Sequence, residues 1–177
     1  MILGAILAGG RSRRFGTDKA AAEWRGQSLL SHAAQTLAPH CDLVVVSGGR
    51  REGTGYATIA DWPRNDLGPL GGISGALRHA RREHFSRVLT IACDTPVVPA
   101  SLFTRLLGAG GSAYLRDMPV LGCWPAVLAD ELAIRLERSS DRSITAWADH
   151  VAALPIDLGQ ALPNVNHRED LYRLDAV

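Results

Sequence analysis

Three continuous apolar runs constrain this chain most: "ILGAIL" at 2–7, "DLVVVS" at 42–47 and "SRVLTIAC" at 86–93. None alternates apolar with polar residues, so each reads as a strand covered on both faces. The segments between them carry helical spacing instead. Leu29, Leu30, Ala33, Ala34 and Leu37 form one stripe within 28–38, closed by Pro39. Ile73, Ala76, Leu77 and Ala80 form another within 73–83, and "YATIAD" at 56–61 supplies a shorter strand between the two. This βαβαβ order predicts an α/β fold, a three-layer α/β/α sandwich around a mostly parallel twisted sheet.

The second half is less regular. Residues 99–107 and 126–138 read as helices, and "SAYL" (112–115) and "PVLGCW" (119–124) as antiparallel hairpin partners. Residues 141–150 read as a short helix with Asp141 at its N-cap. Pro155 suits 151–158 to a sheet edge, because it cannot donate to a central ladder. Residues 167–174 read as a closing helix, with Asn166 placed to cap it. The length of 177 residues, without repeats or a long linker, predicts a single domain over 1–177.

A formal charge of +1 gives no global pull toward nucleic acid or an anionic membrane, so an anion site has to come from local clustering. The opening "MILGAILAGG" lacks the basic flank of a signal peptide, and no run reaches the roughly 18 apolar residues of a spanning helix. Cys41, Cys93 and Cys123 are odd in number and far apart, which fits free thiols in a cytoplasmic protein better than disulfides or a CxxC metal site.

Ligands of open parallel sheets bind outside the carboxyl ends of the strands. The glycine-rich and charged stretches lie there: 8–19, 61–72 and 94–99. In "GAILAGGRSRRFGTDK" (4–19), Gly9 and Gly10 let a base or sugar approach the backbone, and Arg11, Arg13, Arg14 and Lys19 concentrate positive charge. Neither GxxxxGK[ST] nor GxGxxG is present. The loop is therefore a solvated basic turn or a wrap around a triphosphate, and its place at the binding edge favours the second.

The segment "DLGPLGGISGAL" (66–77), with Gly68, Pro69, Leu70, Gly71 and Gly72, reads as a rigid helix start or as a backbone-lined slot for a planar base. Asp61, a single carboxylate after a strand, reads as a loop N-cap. In "ACDTPVVP" (92–99), Asp94 suits a turn cap or a hard oxygen ligand for Mg²⁺. Cys93 is a packed small residue rather than a ligand, since Mg²⁺ shuns thiolate.

"LAGGRSRRFGTDK" (7–19) resembles the LAGGxSxRMGxDK signature of small nucleotidyltransferases with a glycosyltransferase-A-like, Rossmann-like fold. Among these the chain looks most like the molybdenum cofactor guanylyltransferases. "GPLGG" (68–72) resembles their guanine-framing segment, and "CDTPVVP" (93–99) their metal-binding motif. "MPVLGCW" (118–124) resembles HPVxGLW at the acceptor pocket, and "NVNHREDL" (164–171) the terminal NxNTPEDL. Phe15, Ser47, Met118, His167 and Arg168 depart from the usual Met, Asn, His, Thr and Pro.

The resemblance implies transfer of GMP from GTP to the terminal phosphate of a molybdopterin-type cofactor, releasing pyrophosphate. It assigns Arg14, Lys19 and Asp94 to catalysis, Asp94 to Mg²⁺, and Leu7, Ala8, Gly9, Gly10, Ser47, Asp61, residues 68–72, Asn164 and Asn166 to substrate binding. It divides the chain into a nucleotide half (about 1–98) and an acceptor half (about 99–177). Acceptor molybdoenzymes or their chaperones are the implied partners, and the protein is expected as a monomer or weak homo-oligomer. Three readings stand beside it: a cytidylyltransferase of the same cofactor, a sugar-phosphate nucleotidyltransferase, and a non-catalytic nucleotide-binding adaptor.

Overall fold

The central strand β1 (Ile2–Leu7) is apolar throughout because both of its faces are packed. Leu3, Ala5 and Leu7 point into one core and Ile6 into the other. This computed structural model describes residues 1–9, 19–48, 54–167 and 169–174. Arg11, Arg13, Arg14, Gly10, Phe15 and Arg168 lie outside the described residues.

After β1 come a two-residue hairpin, β2 (Glu23–Trp24) and β3 (Gln27–Ser28), and then α1 (Leu29–Leu37). The sheet continues with β4 (Leu43–Ser47) and β5 (Ala57–Ile59), followed by α2 (Gly68–Arg82) and β6 (Arg87–Ala92). The second half holds α3 (Ala100–Gly108), β7 (Ala113–Leu115), β8 (Met118–Pro125) and α4 (Ala129–Arg138). It closes with α5 (Ile144–His150), β9 (Leu154–Ile156) and α6 (Asp170–Leu174).

Among the described residues the main sheet has seven strands, ordered β5-β4-β1-β6-β8-β7-β9. β5, β4, β1 and β6 are mutually parallel, and β8 runs antiparallel to β6 and β7. β9 is an edge strand parallel to β7, as Pro155 requires. One face is covered by α2, α4 and α5 through Leu70, Ile73, Leu132 and Trp147. The other is covered by α1 and α3 through Leu30, Leu37, Leu102 and Phe103. The expected three-layer sandwich is therefore present.

Several boundaries differ from the sequence reading. α2 starts at Gly68, five residues before its apolar stripe, because Pro69 fits the first turn of a helix, where no amide donor is needed. The cap of α5 is Ser143, whose Oγ accepts from the Ala146 amide at 3.1 Å. Asp141 instead accepts from the Ser143 amide at 2.9 Å, one step outside the helix. Asn166 does not cap the last helix either. Asp170, the first helical residue, ties down the turn before the helix, its Oδ2 accepting from the amides of Asn166 and His167, each at 2.8 Å. The β2–β3 hairpin escaped the periodicity because two-residue strands have none.

Where the sheet changes direction, a buried polar knot holds it. The Thr90 hydroxyl is 2.7 Å from the Val120 carbonyl and accepts from Trp124 Nε1 at 3.2 Å. On the other flank, α2 is pulled close to the β5 exit through Gly75. A Cβ there would stand 2.2 Å from the Ala60 carbonyl oxygen. Gly75→Ala therefore forces the helix off the strand exit and should lower stability by about 1–3 kcal/mol. Gly108→Ala, with nothing within 4 Å of its Cβ, should be neutral or stabilising. Thermal unfolding of the two variants checks the contrast.

Candidate active site

The two parallel ladders flanking β1 place Leu7 opposite Ser47 on one side and Ala92 on the other. The three strand exits therefore stand level. Two backbone bonds extend the alignment by one residue: the Ala8 amide donates to the Ser47 carbonyl at 2.8 Å, and the Cys93 amide to the Leu7 carbonyl at 3.2 Å. Gly9 and Gly48 then touch. A Cβ on Gly48, whose φ is +114°, would lie 2.1 Å from the Gly9 amide nitrogen. Only glycine permits both the backbone angle and the approach.

On the β4–β5 side of β1 a cavity of about 730 Å³ opens. Leu7, Gly9, Ser47, Asp61, Gly68, Pro69 and Gly72 from the sequence reading all line it. Gly72 keeps the slot open: its Cβ would meet Ser47 Oγ at 2.9 Å and Leu7 Cδ2 at 3.2 Å. Leu70 and Gly71 do not line it. Leu70 is fully buried in the core, and Gly71 faces Leu67, where a Cβ would be 2.5 Å from the Leu67 Cβ. The Gly71 carbonyl accepts from the Trp62 amide at 3.1 Å, tying α2 to the turn after β5. Ala8 is buried beside the slot.

The sequence reading missed Gly48, Asn65 and Asp66, which also line the cavity. "SGG" at 47–49 was a readable signal for Gly48. Asp66, at φ +62°, had only its Asp identity to suggest a turn.

Burial raises the pKa of Asp61 above its ordinary value; the Ser47 hydroxyl, 3.4 Å from Oδ1, opposes the shift, and Asp66 adds to it.

On the β6 side of β1 the chemistry changes from neutral to charged. Lys19 Nζ donates to Asp94 Oδ2 at 2.8 Å and to Asn166 Oδ1 at 3.1 Å. The pair is largely withdrawn from solvent, with side chains 13% and 23% exposed. Lys19 is the chain's only lysine; all other basic side chains of the Lys/Arg class are arginines. The Val165 amide donates to the Asp94 carbonyl at 2.9 Å, which brings the distant 164–166 segment to this strand exit. Asn164 is exposed there. Thr36 Oγ1 donates to the Pro96 carbonyl at 3.0 Å, fixing the turn after Asp94 to α1.

Thr95, fully buried, holds its hydroxyl 3.4 Å from Asp94 Oδ1 and 3.2 Å from Met118 Sδ. The Met118 departure thus substitutes a weak sulfur acceptor beside the Asp94 turn.

Among the described residues no three His, Cys, Asp or Glu side chains gather as a metal cage. A single part-exposed carboxylate suits a hard cation that completes its shell with water and phosphate oxygens, and does not suit a zinc-type site. Burial pushes the Cys41 thiol up to about 12 and the Cys123 thiol to about 11, so both stay protonated at neutral pH. No described helix is long and apolar enough to cross a membrane.

Comparison with known proteins matches residues 4–154 to the family model described as the MobA-like NTP transferase domain. A molybdenum cofactor guanylyltransferase of Cereibacter sphaeroides is 34% identical, covering 99% of this chain and 96% of its own. One from Sinorhizobium fredii is 33% identical over 86% of this chain and 76% of its own. Among solved structures, molybdopterin-guanine dinucleotide biosynthesis protein A of Archaeoglobus fulgidus superposes with a TM-score of 0.75 at 22% identity, covering 99% of this chain and 97% of its own. A 2-C-methyl-D-erythritol 4-phosphate cytidylyltransferase of Thermus thermophilus reaches 0.70 at 16% identity, covering 100% and 98%. Both show the fold.

The upward shift of Asp61 has a signed consequence. Its native pKa lies above its unfolded value, so the ionised form weakens the fold once the pH has risen through the interval between them. Asp61→Asn, which keeps an oxygen for Ser47, should therefore gain stability relative to the native protein between pH 3 and pH 7. Melting temperatures measured across that range test the sign; a parallel pair of curves contradicts it.

Proposed function

The chain belongs to the MobA-like NTP transferase family, and from that premise we propose that it transfers GMP from GTP to the terminal phosphate of a molybdopterin-type cofactor, releasing pyrophosphate. The observation that carries this reading is the juxtaposition of a neutral, glycine-walled cavity with the Lys19–Asp94 pair across the end of one strand. A nucleoside triphosphate has the same two-part character: a planar base, then a polyanion.

The base cavity supports guanine. Asp61 and Asp66 are acceptor-only groups when ionised, and they line the same wall region as the Gly68 turn. Guanine presents two adjacent donors, the ring N–H and the exocyclic amine, whereas cytosine has one amino group on that edge. Gly72 and Pro69 offer flat, side-chain-poor surface to the ring.

At the charged end, Asp94 and the substrate phosphates fit Mg²⁺, which would neutralise phosphate charge as a Lewis acid. Asp94 supplies the carboxylate. Lys19 exchanges its bond to Asp94 for the triphosphate and offsets charge on the α-phosphate and the departing pyrophosphate. Asn166 orients the lysine from the C-terminal segment. The attacking group is a phosphate, already anionic at neutral pH, so no protein base has to remove a proton. Positioning and charge neutralisation supply the rate. Arg14, five residues before Lys19 in the sequence, adds a second cation in this proposal.

The reaction is tested with molybdopterin-type acceptor, Mg²⁺ and each of the four nucleoside triphosphates, following pyrophosphate release. GTP alone should support turnover; release with CTP alone would transfer the assignment to the cytidylyltransferase reading. Asp94→Asn should reduce turnover by at least about 10²–10³-fold, the scale of losing one transition-state charge contact, with little change in melting temperature. Lys19→Ala should weaken GTP binding or turnover, whereas Arg138→Ala on the surface of α4 should not.

A further inference from the structure

Arg64, Arg78 and Arg82 converge on a second cavity, of about 470 Å³, behind the turn that follows β5. Arg78 and Arg82 stand one helical turn apart on α2, on the same face. Arg64 reaches in from the turn. The Arg78 guanidinium lies 3.7 Å above the centroid of the Trp62 ring, so the stack holds this cation in place. His79 completes the basic lining.

Among the described residues, none of these three guanidinium groups has an ion pair or hydrogen bond. That is uncommon in this chain. Arg81 pairs with Asp130, Arg116 with Asp157 and Arg135 with Asp141. Arg87, Arg105 and Arg142 bond to backbone carbonyls. Of the other arginines with described side chains, only Arg138 is also unpaired. The acid bordering the cavity, Asp61, turns Oδ1 toward the Ser47 hydroxyl on the base-cavity side. The unpaired positive charge of the described surface is thus concentrated in one concavity.

Like charges drawn together in a concavity repel, and a bound anion relieves them. The volume falls in the range of small-molecule sites, and guanidinium forks match phosphate oxygens. We propose that this cavity, which adjoins the base cavity through Ala60, Asp61 and Asn65 but does not include Asp94, is an oligophosphate site that takes pyrophosphate or the phosphate chain of a nucleotide. The shared chemistry is the phosphoanhydride; the source is the pyrophosphate of the proposed reaction or a second nucleotide. None of the three arginines lines the base cavity, so this inference and the proposed reaction can fail separately.

The test is calorimetry at low salt with inorganic pyrophosphate and, separately, with ATP. Lys19→Ala combined with Arg14→Ala serves as background, with Mg²⁺ left out, so that neither cation proposed for the active site contributes. Pyrophosphate should still bind this variant. Adding R64S, R78S and R82S should weaken binding at least tenfold, and Arg82→Ser alone, at an exposed position, at least threefold. Arg138→Ser should change nothing. Loss of pyrophosphate but not ATP binding identifies the product as the source; loss of both extends the site to nucleotides. Unchanged pyrophosphate affinity in the triple substitution, or an equal loss in Arg138→Ser, overturns the proposal.

Discussion

The parallel pairing of β1 on both of its edges is the constraint from which the rest follows. Because Leu7 is in register with both Ser47 and Ala92, three loops must leave the sheet at one level. Their backbones then crowd, and the crowding dictates composition. Gly48 sits against Gly9, Gly72 against Ser47, and Gly75 against the Ala60 carbonyl. Side chains at these points would push the loops apart and close the cavity between them. The glycines of this region are therefore consequences of strand register as much as of ligand contact.

That geometry divides the site electrostatically. On one side of β1 the walls are backbone, small side chains and two carboxylates, one made harder to ionise by burial. On the other, a single ammonium faces a single carboxylate with little solvent between them. A low-dielectric setting strengthens charge interactions there relative to open water. Lys19 and Asp94 compensate each other when nothing else is present, and each then has a partner to give up when a triphosphate and its cation arrive. The C-terminal segment reaches this centre through Val165 and Asn166, so the last part of the chain helps to build a site whose other components come from its first hundred residues.

Much of this was legible in the sequence, for identifiable reasons. The buried strands announced themselves because burial on both faces leaves no room for polar residues, and the alternation with helical stripes gave the layer order. Asp94 and Lys19 could be singled out by their positions after strand exits and by a motif. What escaped was set by tertiary contact. Asn166 looked like a cap, since asparagine before a helix usually is one; its amide oxygen is taken by a lysine 147 positions away. Leu70 sits inside a motif yet turns into the core, because a helix begun at Gly68 turns about 100° per residue and so carries Leu70 and Gly71 away from the slot that Gly68, Pro69 and Gly72 line. Asp66 carries no pattern beyond its type. The groove of Arg64, Arg78 and Arg82 is spread over two elements, and only the meeting of unpaired guanidinium groups in space marks it out.

The central claim is that Lys19 faces a metal-bound triphosphate beside Asp94, and the composition provides a direct probe. Lys19 is the only lysine, so amine acylation followed by mass spectrometry reads one side chain against one internal reference, the exposed amine of Met1. The account predicts that GTP with Mg²⁺ slows labelling of Lys19 at least tenfold relative to Met1, and that Asp94→Asn removes most of this protection. A Lys19-to-Met1 labelling ratio unchanged by saturating GTP and Mg²⁺ would contradict it.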